Sequence, residues 1–145
     1  MDYMNVARCF GILHRRSQAF VVDACQKLHL TYSEYVMLLR IYGQEGCSQE
    51  DMAAQLHVDK AVVTRVIKLL EEKDFIYREK DSTDRRIKRI YLTELGRSQE
   101  GFLKDVVNRW GRYLSSGMKP EVVTVLLEGF QDLAERSGTA DFNNI

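Results

Sequence analysis

The sequence predicts a mainly α-helical chain with a two-stranded β wing near its middle, flanked by helices at both ends. Three observations predict it. The run VDKAVVTRVIKLLEE, residues 58–72, places Val63, Val66, Ile67 and Leu70 at the i, i+3, i+4, i+7 spacing of one apolar helical stripe. After Lys73 and Asp74 the period changes: Phe75, Ile76 and Tyr77 begin a strand, Asp81 to Asp84 is a polar turn, and Ile87 to Leu92 returns with Ile90 and Leu92 on one side. Outside this centre, both ends carry apolar residues over arcs wider than one small neighbour would cover.

At 145 residues the chain reads as a single domain, 1–145, with room for a real core. Its 45% hydrophobic and 29% charged residues are an ordinary globular mix, which excludes a disordered chain. Twenty-one basic residues balance 21 acidic ones, so bulk charge marks no nucleic-acid binder and local placement has to be read instead. The net charge is +1 over 1–47, +1 over 48–92 and −2 over 93–145, yet within 78–89 six basic groups face three acidic ones. Basic charge therefore gathers at the wing. Cys9, Cys25 and Cys47 form no CxxC pair, so neither a disulfide framework nor a zinc ribbon is signalled. No apolar run approaches the roughly eighteen residues that cross a bilayer, and no leader opens the chain, so the simplest reading is a cytoplasmic protein without a membrane partner.

Taken in order, residues 4–28 are helix-compatible, with Val6, Phe10, Leu13, Ala19, Phe20 and Val21 on a broad face. Thr31 with Glu34 three places on has the form of a capping box for a helix over 32–43, which Gly43 and Gly46 end. Ser48 with Asp51 caps the next helix, whose inward side is Met52, Ala53 and Leu56. His57 and Val58 make a short turn, and Asp59 can cap the helix that carries the apolar stripe. Two short helices separated by such a turn form a helix-turn-helix, and the hairpin after it is the wing. Thr93 caps a long helix running to about Leu114, Pro120 suits the first turn of a last helix over 120–136, and the tail after Ser137 is short. The winged helix-turn-helix thus occupies 31–92, and 1–28 and 94–137 supply helices suited to dimerisation. A monomeric bundle is the competing use of those ends.

The stripe's opposite face carries Lys60, Ala61, Val62, Thr64, Arg65 and Lys68. Small, hydroxyl and cationic side chains on one face suit a helix lying in a DNA major groove, which is about one helix wide. Arg65 and Lys68, one turn apart, can follow neighbouring positions along the groove, Thr64 offers a hydroxyl, and Ala61 and Val62 offer methyl contacts to thymine. The wing segment KDSTDRRIKR, 80–89, is expected to be basic and exposed, with Arg85, Arg86, Lys88 and Arg89 as cations, although strand alternation prevents all four from facing DNA together. The plain alternative is a solvated amphipathic surface. An enzyme is hard to build here: His14, His29 and His57 are scattered, and neither a metal-ligand cluster nor a glycine-rich phosphate loop appears. No cofactor is expected.

Residues 48–96, SQEDMAAQLHVDKAVVTRVIKLLEEKDFIYREKDSTDRRIKRIYLTELG, resemble the DNA-binding region of the MarR family of winged helix-turn-helix transcription regulators; DSTDRR at 81–86 and LTELG at 92–96 carry the resemblance most specifically. Where the family typically has a proline after the first aspartate of the wing, Ser82 stands here, a change expected to affect wing stiffness more than charge. The resemblance implies a homodimer on a pseudo-palindromic double-stranded operator, often a repressor released by a small phenolic or lipophilic ligand or by oxidation. It makes the helix from Asp59 to Asp74 the recognition helix, with Ser48 at the start of the preceding helix among the DNA-contacting residues. It also gives Asp84 the role of orienting the wing arginines, Arg86 the minor groove, and Arg85 a structural or phosphate-binding role. The family's effector pocket suggests Phe10, His14, Arg16, Tyr32, Tyr35 and Tyr42, though the tyrosines would serve equally as core. Some relatives sense peroxides through a first-helix cysteine; Cys9 lies near that position but misses its spacing from Tyr32, and inert cysteines are the alternative. A second function class, a winged-helix module that holds a protein partner without binding an operator, is opposed by the retained cations on both reading elements.

Overall fold

The computed structural model describes residues 2–145. It forms two compact units, one ending at Trp110 and the other Gly111–Ile145. In chain order the elements are α1 (Tyr3–Ala24), a 3-10 turn (Gln26–Leu28), α2 (Tyr32–Gly43), α3 (Gln49–Leu56), α4 (Lys60–Glu72), β1 (Ile76–Lys80), β2 (Lys88–Leu92), α5 (Glu94–Ser98), α6 (Glu100–Leu114), α7 (Pro120–Gly138) and a final 3-10 turn (Phe142–Asn144). This is a mainly α-helical fold with a two-stranded antiparallel wing.

Local chemistry fixes most helix starts. At α2 the Thr31 hydroxyl accepts from Glu34 N while the Glu34 carboxylate accepts from Thr31 N; Ser48 and Asp51 do the same at α3. Asp59 sits at the cap of α4 without a side-chain capping bond, so this helix is held by its buried stripe instead. The first helix is shorter than its apolar pattern: it ends at Ala24, and 26–28 tighten into a 3-10 turn closed by His29 in the left-handed region, φ 52°. The single helix expected over 94–114 is two. Its first turns bond through Gln99 N to both Leu95 O and Gly96 O, which tightens and ends α5 before α6 begins.

The core of the first unit lies between α2, α3, α4 and the sheet. Leu38, Ile41, Met52, Ile67, Leu70 and Ile90 are fully buried there, joined by Val21 and Cys25 at the end of α1 and by Leu103 and Val106 of α6. The wing pairs Ile76 with Leu92 through to Lys80 with Lys88. Its return strand is also tied to the α2–α3 linker: Gly46 N donates to Ile90 O at 2.8 Å, Ile90 N donates to Cys47 O at 3.0 Å, and Ser48 bridges Arg89. The wing and the helix-turn-helix therefore share a backbone junction, with Gly46 at φ 85°, where a side chain would strain the chain.

In the second unit α7 starts with Pro120 at its first turn and buries no residue. Val122, Val125, Leu127 and Leu133 are each more than half exposed. Such a helix has an apolar face without a core of its own to cover it.

Candidate nucleic-acid interface

Helix α4 divides cleanly into two faces. Val63, Val66, Ile67 and Leu70 are buried, while Lys60, Ala61, Thr64, Arg65 and Lys68 are exposed. Val62 does not join the open face; it is half-buried against the core. Lys60 pairs with Glu50 of α3 at 2.8 Å, and Lys68 lies 3.8 Å from Glu72, both on open surface where water screens them. The Thr64 hydroxyl donates to Lys60 O at 2.9 Å and accepts from Gln49 Nε2 at 3.1 Å, so its donor capacity is used within the protein.

Gln49 continues this network to the wing. Its Oε1 accepts from Arg78 of β1 at 3.0 Å, and Arg78 also holds Glu71 of α4 through Nε at 2.9 Å. The Arg78 guanidinium lowers the Glu71 carboxyl below its ordinary value, and Glu71 in turn raises Arg78. The chain Thr64–Gln49–Arg78–Glu71 thereby fixes α3, α4 and β1 against one another. A groove of about 550 Å³ lies between the α3–α4 pair and the wing. One wall is Ser48, Gln49, Glu50, Lys60 and Thr64; the other is Asp84, Arg86, Ile87 and Lys88 of the wing. Ser48 contributes little surface, because it is buried and its hydroxyl caps α3.

Within the wing, Asp84 Oδ1 accepts from Arg86 N at 3.0 Å and from Nε at 3.1 Å, and Oδ2 accepts from the terminal nitrogen at 2.9 Å. These bonds hold the Asp84 carboxyl below its usual range. They pre-set a guanidinium whose side chain is 91% exposed. Arg85 and Lys88 are exposed as well. The expectation that the whole 80–89 segment is exposed needs correction: Asp84 and Ile87 are half-buried, and two further positions face the protein. Asp81 is buried, and Arg89 turns inward to Asp81 and to Gly46 O because the strand alternation that exposes Lys88 sends Arg89 to the other side. Asp81 also accepts from Thr83 and from Asp84 N, and those bonds with Arg89 push its carboxyl far below the usual range. Asp81 thus closes the turn beside Ser82.

The residues suggested for an effector pocket are placed differently from one another. His14 and Tyr32 meet edge to face, ring centres 5.8 Å apart, and Phe10 and Arg16 are exposed on α1. Tyr35 is buried and donates to Leu103 O at 2.9 Å; half-buried Tyr42 donates to Gly96 O at 2.7 Å. Burial pushes both phenols up to about 12. Cys9 is exposed, while Cys25 and Cys47 are buried and their thiols raised by that burial. Among the described residues no group of three or more His, Cys, Asp or Glu side chains could hold a metal ion, and no helix is long and apolar enough to cross a membrane. Sequence reasoning missed Gln49, Glu50 and Arg78, and the inward contacts of Asp81 and Arg89: Gln49 meets Thr64 and Arg78 across 15 and 29 residues, Glu50 meets Lys60 across ten, and Arg89 meets Gly46 across 43; only alternation along β2 hinted at the direction of Arg89.

Two helices joined by a tight turn, the first capped by Ser48 and the second presenting a polar face beside a β wing, define a winged helix-turn-helix. The MarR family profile matches residues 30–88. The chain is 30% identical over 108 residues to the HTH-type transcriptional regulator SarZ of Staphylococcus aureus, covering 72% of each chain. It is 32% identical over 93 residues to the HTH-type transcriptional regulator YybA of Bacillus subtilis, covering 64% of this chain and 62% of that one. It spans less than two thirds of the length of two of the curated relatives it matches. A solved structure of a MarR family transcriptional regulator from Listeria monocytogenes, complexed with 26mer DNA, shares the fold with a TM-score of 0.86 and 20% identity, over 91% of this chain and 88% of that one. The chain belongs to the MarR family of winged helix-turn-helix transcription regulators.

Proposed function

We propose that this chain is a sequence-specific, double-stranded-DNA-binding repressor that works as a homodimer on a pseudo-palindromic operator and is modulated by a small phenolic or lipophilic ligand. The observation that carries the reading is the groove whose two walls bring the exposed face of α4 and the Arg86 tip of the wing to one surface. In this reading Ala61, Arg65 and Lys68 face the major groove, Lys60 and Lys88 meet phosphates, and Arg86, aimed by Asp84, enters the minor groove. Arg85 stays on the backbone side. The Listeria relative complexed with DNA supports the same use of the fold. The unburied apolar face of α7, with Tyr3, Met4, Val6 and Phe10 exposed along α1, supports a second copy as the cover, since a two-fold pair also gives two reading units at fixed separation. The His14–Tyr32 aromatic pair supports the effector part of the reading.

Binding to a duplex carrying the promoter nearest the chain's own gene, measured across a salt series, tests the reading. Arg86→Ala and Arg65→Ala are each expected to weaken binding by roughly tenfold or more, and a variant that loses a phosphate contact flattens the salt slope by about one. Unchanged affinity in both variants would remove these two elements from the interface.

A further inference from the structure

Arg89 stands in the most basic stretch of the chain, yet its guanidinium bonds to partners within the protein while 38% of the side chain stays exposed. We propose that Arg89 is a positioning residue for DNA binding: with Asp81 it forms a latch that holds the wing at a fixed distance from the start of α3. The inference rests on the DNA-binding reading above and adds to it a residue whose charge acts through another group.

The geometry of the latch is specific. Arg89 Nε donates to Asp81 Oδ2, at the point where β1 enters the wing turn, and its terminal nitrogen donates to Gly46 O at 3.0 Å, in the linker just before Ser48 caps α3. One side chain therefore spans from the wing turn to the beginning of the opposite groove wall. Asp81 divides its two oxygens between separate tasks. Oδ1 accepts from Thr83 N at 2.9 Å, Thr83 Oγ1 at 2.6 Å and Asp84 N at 3.0 Å, which shapes the turn that carries Arg86; Oδ2 accepts from Arg89. The turn that aims Arg86 and the bond that anchors it thus meet on one carboxylate. Two of the guanidinium's five donors are thereby committed within the protein, and swinging the group out to a phosphate would give both of these bonds up.

This division of labour gives a test in which two explanations have opposite signs. Asp81→Asn keeps Oδ1 as the acceptor for Thr83 and Asp84, but replaces Oδ2 with an NH2 donor facing the Arg89 donor. It also removes a negative charge from the DNA-facing unit. If Arg89 bound phosphate directly, freeing it and deleting the acid would tighten binding. The latch predicts the reverse: about tenfold weaker binding, within the range for residues sharing one network, with Arg89→Gln equally weak and the double variant no weaker than either single one. Arg89→Lys, which retains the charge but not the two-armed reach, falls between parent and Arg89→Gln.

Binding is read on a random-sequence duplex pool and on the duplex that the parent chain selects from it, with amide exchange as the structural readout. The latch predicts faster exchange at Asp81 and Ile87, whose N–H groups close the wing turn, with core amides unchanged. Asp81→Asn binding as tightly as the parent or more tightly, additive losses in the double variant, or acceleration spread evenly over the core would each overturn the positioning role. Failure of the parent to bind either duplex would overturn the DNA-binding reading, and the latch with it; binding by the parent with no loss in the variants overturns the latch alone.

Discussion

Replacing Gly96 by alanine is expected to cost about 3 kcal/mol or more of stability, because the new methyl has no place to go. A Cβ on Gly96 would stand 2.0 Å from Phe75 O and 3.0 Å from Phe75 C, both backbone atoms rather than the end of a flexible side chain. Neither side can yield easily. Phe75 is buried and its carbonyl accepts from Thr93 N at 3.1 Å, while Gly96 N donates to the Thr93 hydroxyl and Gly96 O accepts from Tyr42. The alanine must therefore pry α5 away from the end of α4 and loosen the return strand of the wing. Gly101, with open space around its Cβ position, is the control, and Gly101→Ala is expected to leave stability unchanged or raise it by up to about 1 kcal/mol. Denaturant midpoints at constant slope measure both. Equal stability of the two alanine variants would contradict the close approach.

Lys73→Met is the second large effect, expected to cost about 3 kcal/mol by leaving a buried carboxylate without its cation. Glu34 is completely buried, both of its oxygens lie 2.8 Å from Lys73 Nζ, and Lys73 also donates to His29 O at 2.6 Å. The pair ties the end of α4 to the first turn of α2. Its two halves are not equivalent. Lys73 keeps 30% of its side chain exposed, so in the Glu34→Gln variant it can turn to water while the substituted amide's oxygen still accepts from Thr31 N; Glu34 in Lys73→Met has no such exit. The lysine substitution is thus expected to cost more than the glutamate one. The opposite order in the same denaturation measurement would show that the carboxylate is stabilised by something other than Lys73.

These two positions also show where the sequence is legible and where it is not. The stripe on α4 and the Thr31–Glu34 and Ser48–Asp51 caps can be read because each signal is complete within a turn or two of helix. Glu34 has a second task that its neighbours do not announce: its cation comes from 39 residues further on. Gly96 reads as a weak helix former until the fold brings Phe75 O against it. In the wing, composition marks a basic hairpin, but charge counting treats Arg86 and Arg89 alike. The first is nine-tenths exposed and the second is tied to Asp81 and Gly46 by contacts that form only when β2 closes on the α2–α3 linker. Tyr35 and Tyr42 are a similar case, since nothing local says that their hydroxyls serve the backbones of α6 and α5. The paired faces of α4 were thus open to inspection, whereas the network of Gln49, Arg78 and Glu71 that aligns α4 with the wing depends on tertiary contact.

The central claim is that two copies of the α4–wing surface read DNA together. Selection from a random duplex library by the purified chain, at a stated salt concentration, tests it most directly. The expected result is enrichment of an inverted repeat with half-sites about one helical turn apart, bound more weakly as salt rises. Enrichment of no sequence by folded, dimeric protein, or of a single unrepeated site, would contradict it.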